Sequence, residues 1–564
     1  RINMKTYKSL LAASILGLSF SSCTSLLDVN NPNYFTDDEM AEFINGSEEA
    51  EQQVLTGLVG SLPGYINIYN AAIAGGYSNA SAYESNFEFR RFCQSGDVVE
   101  GDRLNQGTYS TWYQNLANNT YWRTDQEIQN YGYYLAPVLK LGPALKALDF
   151  LTEERVEKYP RMGSSRAQAL TMKAICYMML MERYTDLQDV TSTTKQGWPI
   201  YDAYTYNAAK APLSVAETWS WINTTLKEAV DLFHDSTLGE KGYTIGNEAA
   251  QIYDIDCAVA QYYRCRAALD SKDWKTVIEA GNDLLSHFPN LINAEDYGMK
   301  ASLLASVNSR AGVTASLPQG TSWNGSDFNA TQNAFYNLEK NPEAIFGGAR
   351  GSSNIFWTNA GLNALKRSPS GYYQVDKGIY DALSDDDCRK ACILPEDFEN
   401  FHVYTNDGAD TTWYQYTMPK YTSLKWAASS AIGYKNHTNE ATTSDNIYLR
   451  SSAVLLMVAE AYAQGGQDAQ AKALLDKLLA ARTKSGATAM TCDNTMPGKS
   501  VMEMVKLQWR IEMWGEGDWA FFNQKRWGVQ NARGANHWSE TQIPAEGFTW
   551  EIPQKERQGN PYWN

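Results

Sequence analysis

Apolar residues at helical spacing recur along the chain in paired runs, each pair split by a short polar or glycine break, and this pattern confines the fold to packed helices. Residues 165–184 (SRAQALTMKAICYMMLMERY) put Leu170, Ala174, Tyr177, Met178 and Met181 on one stripe. Ser214 reads as the N-cap of the next helix, with Glu217 three residues on completing a capping box. Ile222, Leu226, Ala229, Leu232 and Phe233 then form that helix's apolar face. Two pairs follow. Residues 248–269 and 274–285 are separated by Asp270-Ser271-Lys272-Asp273, and residues 449–462 and 469–481 are separated at Gly465-Gly466. Such units cannot bury their faces singly, so they stack into a superhelix with one extended concave surface. The expected fold is mainly α: a tetratricopeptide-like helical repeat scaffold carrying a long irregular, loop-rich region.

That region runs from about residue 289 to 446 and is rich in Gly, Ser, Asn and Thr. Its aromatics, Trp323, Phe328, Phe335, Tyr336, Phe356, Trp357, Tyr372 and Tyr373, have no helical period. A second aromatic, weakly periodic stretch spans residues 75–122 and includes Tyr77, Tyr83, Phe87, Arg90, Tyr109, Trp112 and Tyr113. Long insertions of this kind are usually functional, so ligand binding is expected here and support from the helices. The chain holds 35 Tyr and 17 Trp against 5 His, and such rings offer flat apolar faces with a polar handle, suited to sugars. A net charge of -16 excludes nucleic acid as a partner and disfavours electrostatic adhesion to anionic lipid. A mean hydropathy of -0.45, with no apolar run of spanning length after the N-terminus, argues against a multi-span membrane protein.

The N-terminus reads as a processing signal. Residues 1–3 precede the start at Met4; Lys5 and Lys8 come next, then the apolar run 10–20, then Ser21-Ser22-Cys23. A Cys directly after small residues resembles a bacterial lipoprotein box, with Cys23 acylated as the mature N-terminus; Phe20 departs mildly from the usual Leu. Residues 1–22 are thus expected to be removed, and 23–42, rich in Asn, Asp and Ser, to form a lipidated tether. The remaining cysteines, 93, 176, 257, 265, 388, 392 and 492, are odd in number and irregularly spaced, which is no disulfide framework. Cys176, Cys257 and Cys265 fall in helical patterns as small buried hydrophobes. Cys388 and Cys392 could share a helix face, but without a nearby His they make a poor zinc site.

Residues 510–528 (RIEMWGEGDWAFFNQKRWG) resemble a signature of the SusD/RagB family, and the terminal IPQKERQGNPYWN (552–564) is similar to that family's ending. YLRSSAVLLMVAEA (448–461), NPEAIF (341–346) and residues 169–184 match in order and position. Asp518-Trp519 replaces the usual Arg-Trp, and Asn523-Gln524 a more common Asp-Leu; these motifs serve the fold and bear little on ligand choice. The resemblance implies one SusD-like domain over 43–564, with the helical scaffold at about 43–288 and 447–564 and the ligand-binding insertion at about 289–446. It also implies a cell-surface, lipid-anchored outer-membrane protein that captures glycan and passes it to a SusC-like TonB-dependent transporter. A minority branch of the family handles peptides.

Family ligand residues come from loops corresponding to about 97–122 and 314–357. Trp112, Trp323 and Trp357 are therefore expected to stack on sugar faces, with Tyr109 and Tyr336 next, and Arg103, Asn105 and Asn324 to bond hydroxyls. An enzyme is not expected: there is no Gly-x-Ser-x-Gly, no His-Glu-x-x-His and no phosphate-binding loop, and the His residues are scattered. No cofactor is expected. Asp385-Asp386-Asp387 and the run 406–410 offer hard oxygens for calcium, but neither has the spacing or closing Glu of a calcium loop. The rival on the same scaffold is a peptide-binding module, which would favour carboxylate and backbone recognition over an aromatic platform.

Overall fold

The computed structural model describes residues 91–100, 141–202, 209–234, 252–302, 333–335, 338–348, 373–396, 401–406, 413–418, 420–425, 445–538 and 545–563, with positions 53, 57, 59–60 and 138. The chain divides into two compact units, Arg1–Gly60 and Ser61–Asn564, and the elements below belong to the second. Cys23 and the tether fall in the first and lie outside the described residues.

The molecule is mainly helical, as the spacing predicts. Helix α1 (Gly163–Tyr184) packs on α2 (Val215–His234), α2 on α3 (Cys257–Asp270), and α3 on α4 (Trp274–His287). The stack continues through α6 (Ser451–Gln464), which touches α4, α7 (Asp468–Arg482) and α8 (Val501–Glu512). Helix α9 (Trp519–Trp527) closes the series against α8. The capping box at Ser214 forms as read: Ser214 N donates to Glu217 Oε2 at 2.9 Å, and Glu217 N to Ser214 Oγ at 3.2 Å.

The two helix pairs turn in the same way. Three residues join α3 to α4 and three join α6 to α7, the middle one having positive φ in each: Lys272 at 62° and Gly466 at 71°. The turn bonds also correspond. Asp273 N donates to Ala268 O and Gln467 N to Tyr462 O, both at 2.8 Å. Repetition of one turn chemistry is what a helical-repeat scaffold requires. Between the pairs, α4 and α6 approach closely at Gly281, where a Cβ would lie 2.1 Å from Val458 Cγ2.

Two boundaries differ from expectation. Helix α3 begins at Cys257, not at Glu248, because Asp256 is extended and its carboxylate accepts from Val259 N at 3.1 Å, a cap that starts a new helix. Leu449 and Arg450 belong to strand β6 (Asn446–Arg450), and α6 starts only at Ser451. Strand β6 pairs antiparallel with β2 (Ala344–Gly348), whose register slips on either side of Phe346. The irregular region also supplies β3 (Tyr373–Val375), α5 (Lys377–Ala382) and the hairpin β4 (Phe401–Asn406) with β5 (Trp413–Met418). Strand β3 pairs antiparallel with β1 (Val98–Glu100).

The scaffold absorbs many of the aromatics. Trp219, Trp509 and Trp550 are fully buried, and Trp550 stacks on Phe521 at 5.3 Å between centroids. All seven described cysteines are buried. Burial pushes the thiols of Cys265 and Cys388 well above their usual range, so they are inert packing groups.

Candidate functional site

The irregular region is seated on the helices by a buried ionic lattice. Arg450, at the end of β6, donates from Nη1 to Glu343 Oε2 at 2.6 Å and to Glu512 Oε1 at 2.7 Å, and from Nε to Glu516 Oε2 at 2.6 Å. Arg482, the last residue of α7, donates from Nη2 to Glu343 Oε1 and Glu512 Oε1, both at 2.7 Å, and from Nη1 to the Ile292 carbonyl. Arg389 joins Asp387 at 2.7 Å to Glu512 at 3.0 Å, and Lys425 reaches Glu516 at 2.5 Å.

Four cations therefore meet four carboxylates, so the lattice is neutral despite its burial. Burial alone would raise the carboxyl of Glu512, yet Arg482 and Arg450 beside it hold it well below its usual range. Burial lowers Lys425 to about 8 against the pull of Glu516. These ion pairs join segments far apart in the sequence, linking Glu343, Arg389 and Lys425 of the irregular region to Arg450, Arg482, Glu512 and Glu516. A water-sized cavity borders the lattice, lined by Tyr297, Val375, Arg389, Cys392, Lys425 and Trp514, and it has no room for a saccharide.

A second cluster fixes the roots of the aromatic stretches. The short ladder of β1 and β3 pairs Val98 with Val375 and Glu100 with Tyr373. At its inner end Arg510 on α8 spans two carboxylates, with Nη2 at 2.7 Å from Asp97 Oδ1 and 3.4 Å from Asp376 Oδ1. His537 Nε2 lies 2.9 Å from Asp376 Oδ2 and 3.0 Å from the Gly96 carbonyl. Burial raises the carboxyl of Asp97 despite Arg510, whereas His537 and Arg510 together hold that of Asp376 down against its burial.

The motif departures have structural partners. Asp518 accepts a bidentate pair from Arg91 at 2.6 and 2.8 Å, and Gln524 donates to the Ser95 carbonyl at 2.9 Å. Both tie the C-terminal motif to residues 91–97. Arg526, from the same motif, pairs with Glu460 at 2.8 Å and Asp270 at 3.1 Å, while Trp509 and Trp527 donate to Glu460 at 3.0 and 2.8 Å.

Trp112, Trp323, Trp357, Tyr109, Tyr336, Arg103, Asn105 and Asn324 all lie outside the described residues. What is described is their footing. Glu100 ends β1 just before the stretch holding Arg103, Asn105, Tyr109 and Trp112, and buried Phe335 directly precedes Tyr336. Of the acidic runs, Asp387 is committed to Arg389, Asp385 pairs with Lys390 at 2.7 Å, and Asp407 and Asp410 lie outside the described residues. Among the described residues no group of three or more His, Cys, Asp or Glu is placed to hold a metal ion. The anchoring residues were missed by sequence reasoning, though a signal existed. Arg482 continues the buried stripe of Ala471, Leu475 and Leu478, and Glu460 interrupts an otherwise apolar helix. A charge on a core stripe needs a buried partner.

The family model for the SusD family matches residues 395–562, which hold the C-terminal motifs and much of the lattice. Among solved structures, a SusD-like carbohydrate binding protein from Bacteroides vulgatus superposes with a TM-score of 0.58 at 18% identity, covering 91% of this chain and 96% of that one. A SusD superfamily protein from Bacteroides thetaiotaomicron gives 0.57 at 14% identity, covering 90% and 98%. A SusD-like protein from Bacteroides fragilis gives 0.58 at 13%, covering 92% and 96%. No curated protein matches the sequence. The fold is that of the SusD superfamily. With the family match over the C-terminal segment, it bears out the resemblance to the SusD/RagB family drawn from the motifs.

Proposed function

We propose that this protein is a lipid-anchored, surface-exposed binding protein that captures oligo- or polysaccharide and passes it to a TonB-dependent outer-membrane transporter without transforming it. The observation that carries the reading is the extent of the likeness in fold, which covers 91% of this chain against a SusD-like carbohydrate binding protein and 90% against a SusD superfamily protein. The aromatic wealth of the two non-helical stretches supports sugar as the cargo, since stacking faces and amide or guanidinium donors suit its C–H and hydroxyl groups. Trp112, Trp323 and Trp357 are the proposed stacking residues, Tyr109 and Tyr336 their neighbours, and Arg103, Asn105 and Asn324 the hydroxyl partners. Anchoring would rest on Cys23; among the described residues no helix is long and apolar enough to cross a membrane.

The test is affinity electrophoresis of a soluble chain starting at Thr24 through gels carrying plant, host and microbial polysaccharides. Retardation by one polysaccharide, with its chains left unshortened, supports capture and identifies the sugar class. Shortened chains would point to catalysis, and no retardation in any gel would move the reading to peptide cargo.

A further inference from the structure

We infer that Arg510 and His537 are positioning residues for the ligand site: they hold β1 against β3, the strands from which two separate stretches of the chain depart. The inference rests on the function proposed above for its ligand, but its geometry is independent of it. Because the ladder is antiparallel and pairs Glu100 with Tyr373, the last residue of β1 and the first of β3 share one end of it. The first continues into Arg103, Asn105, Tyr109 and Trp112; the second arrives from Trp357.

Three residue pairs make a short ladder, and two strands alone are marginal in water. On the far edge of β3 Val375 N donates to the Tyr421 carbonyl at 2.9 Å, and at the other end of the ladder the C-terminal segment grips both strands. Arg510 bridges Asp97 and Asp376, and Trp514 Nε1 donates to the Asp97 carbonyl at 2.7 Å. Residues 531–537 lie over the same point. Gly534 N donates to Asp376 Oδ2 at 2.6 Å, Asn536 Nδ2 to the Val375 carbonyl at 3.0 Å, and Asn536 Oδ1 accepts from Lys377 N at 2.9 Å. The fit is close: a Cβ on Gly534 would come within 2.7 Å of Gly378 N. Asp97 Oδ2 is buried without a partner, so that carboxylate relies on Oδ1, where Arg510 is its main donor and Asn531 a longer one at 3.4 Å. Removing Arg510 thus loosens the grip on both strands at once.

The experiment compares the full chain in non-ionic detergent with Arg510→Gln, Arg510→Lys and His537→Gln. Hydrogen exchange is followed by mass spectrometry, and retardation is read in gels carrying starch, xylan, yeast mannan or mucin glycan. The expected result for Arg510→Gln is faster exchange, by tenfold or more, in peptides covering 98–122 and 349–375 together, with the helices unchanged. Apparent affinity for whichever polysaccharide retards the wild type should fall at least tenfold. Arg510→Lys should recover part of both effects, and His537→Gln should give a milder version that reports even if Arg510→Gln does not fold. Faster exchange in only one stretch, or in both with unaltered affinity, would overturn the inference. If no gel retards the wild type, the glycan reading fails while joint exchange still decides whether the clamp exists.

Discussion

Glu512→Gln is the sharpest perturbation of the fold because it removes one charge and almost no volume. The Glu512 carboxylate accepts from Arg450 at 2.7 Å, from Arg482 at 2.7 and 3.0 Å, and from Arg389 at 3.0 Å, with all three cations and the carboxylate fully or nearly fully buried. The amide keeps one acceptor but turns an N–H pair toward guanidinium donors, and the neutral lattice acquires one uncompensated positive charge. Breaking a buried ion pair by removing one partner typically costs about 3–5 kcal/mol. Against a whole-domain stability of about 5–15 kcal/mol, that is a large fraction. Equilibrium urea unfolding, read by tryptophan fluorescence, should show the midpoint falling steeply with the slope preserved. The control is Lys227→Ala, which breaks an exposed i,i+4 pair at 2.5 Å on α2 and should cost about 0.5 kcal/mol or less. In the double variant Glu512→Gln/Arg482→Met, part of the loss should return, because the surplus charge is gone. A cost for Glu512→Gln below about 1 kcal/mol, no larger than the surface control, would refute the claim that the lattice anchors the irregular region.

Three further outcomes are expected. Gly281→Ala should destabilise by about 1–3 kcal/mol because its Cβ meets Val458 Cγ2, and Val458→Ala should recover much of the loss in the same urea assay. Glu343 and Glu512 both titrate below their usual range, so their stabilisation is present above about pH 4.5 and is lost as the pH falls below it. The thermal midpoint should therefore drop between about pH 5 and 3, and less steeply in Glu512→Gln. Trp323→Ala and Trp112→Ala should each weaken retardation by about tenfold, the share of one aromatic face, and leave the thermal midpoint in place; lost stability with unaltered affinity would assign them to the core.

The helices were legible because burial imposes a period on the sequence. α1, α4 and α7 fall close to where their apolar stripes predict, and the Ser214 cap was visible as a four-residue motif. Helix ends were less so. Asp256 restarts α3 inside a run that stays periodic on both sides, and only the backbone angle at that residue distinguishes a cap from an interior Asp. The paired strands of three to five residues are shorter than any alternation that could announce them. The lattice escaped for another reason. Its members lie far apart in sequence, as with Glu343 and Arg450 at a separation of 107, and no local window holds both halves of such a pair. The proposed ligand residues follow from family position and aromatic content, and substitution is their test.

The same separations bear on how the chain reaches its native state. Arg450 and Arg482 sit at the ends of α6 and α7, which can form locally, but Glu343 arrives from a segment more than a hundred residues upstream and Glu512 from α8. With residues 338–348 undocked and the rest of the lattice in place, four buried cations would face three carboxylates. Such a state is penalised by the low dielectric that later strengthens the finished lattice. Opening the docked segments again requires breaking several ion pairs together.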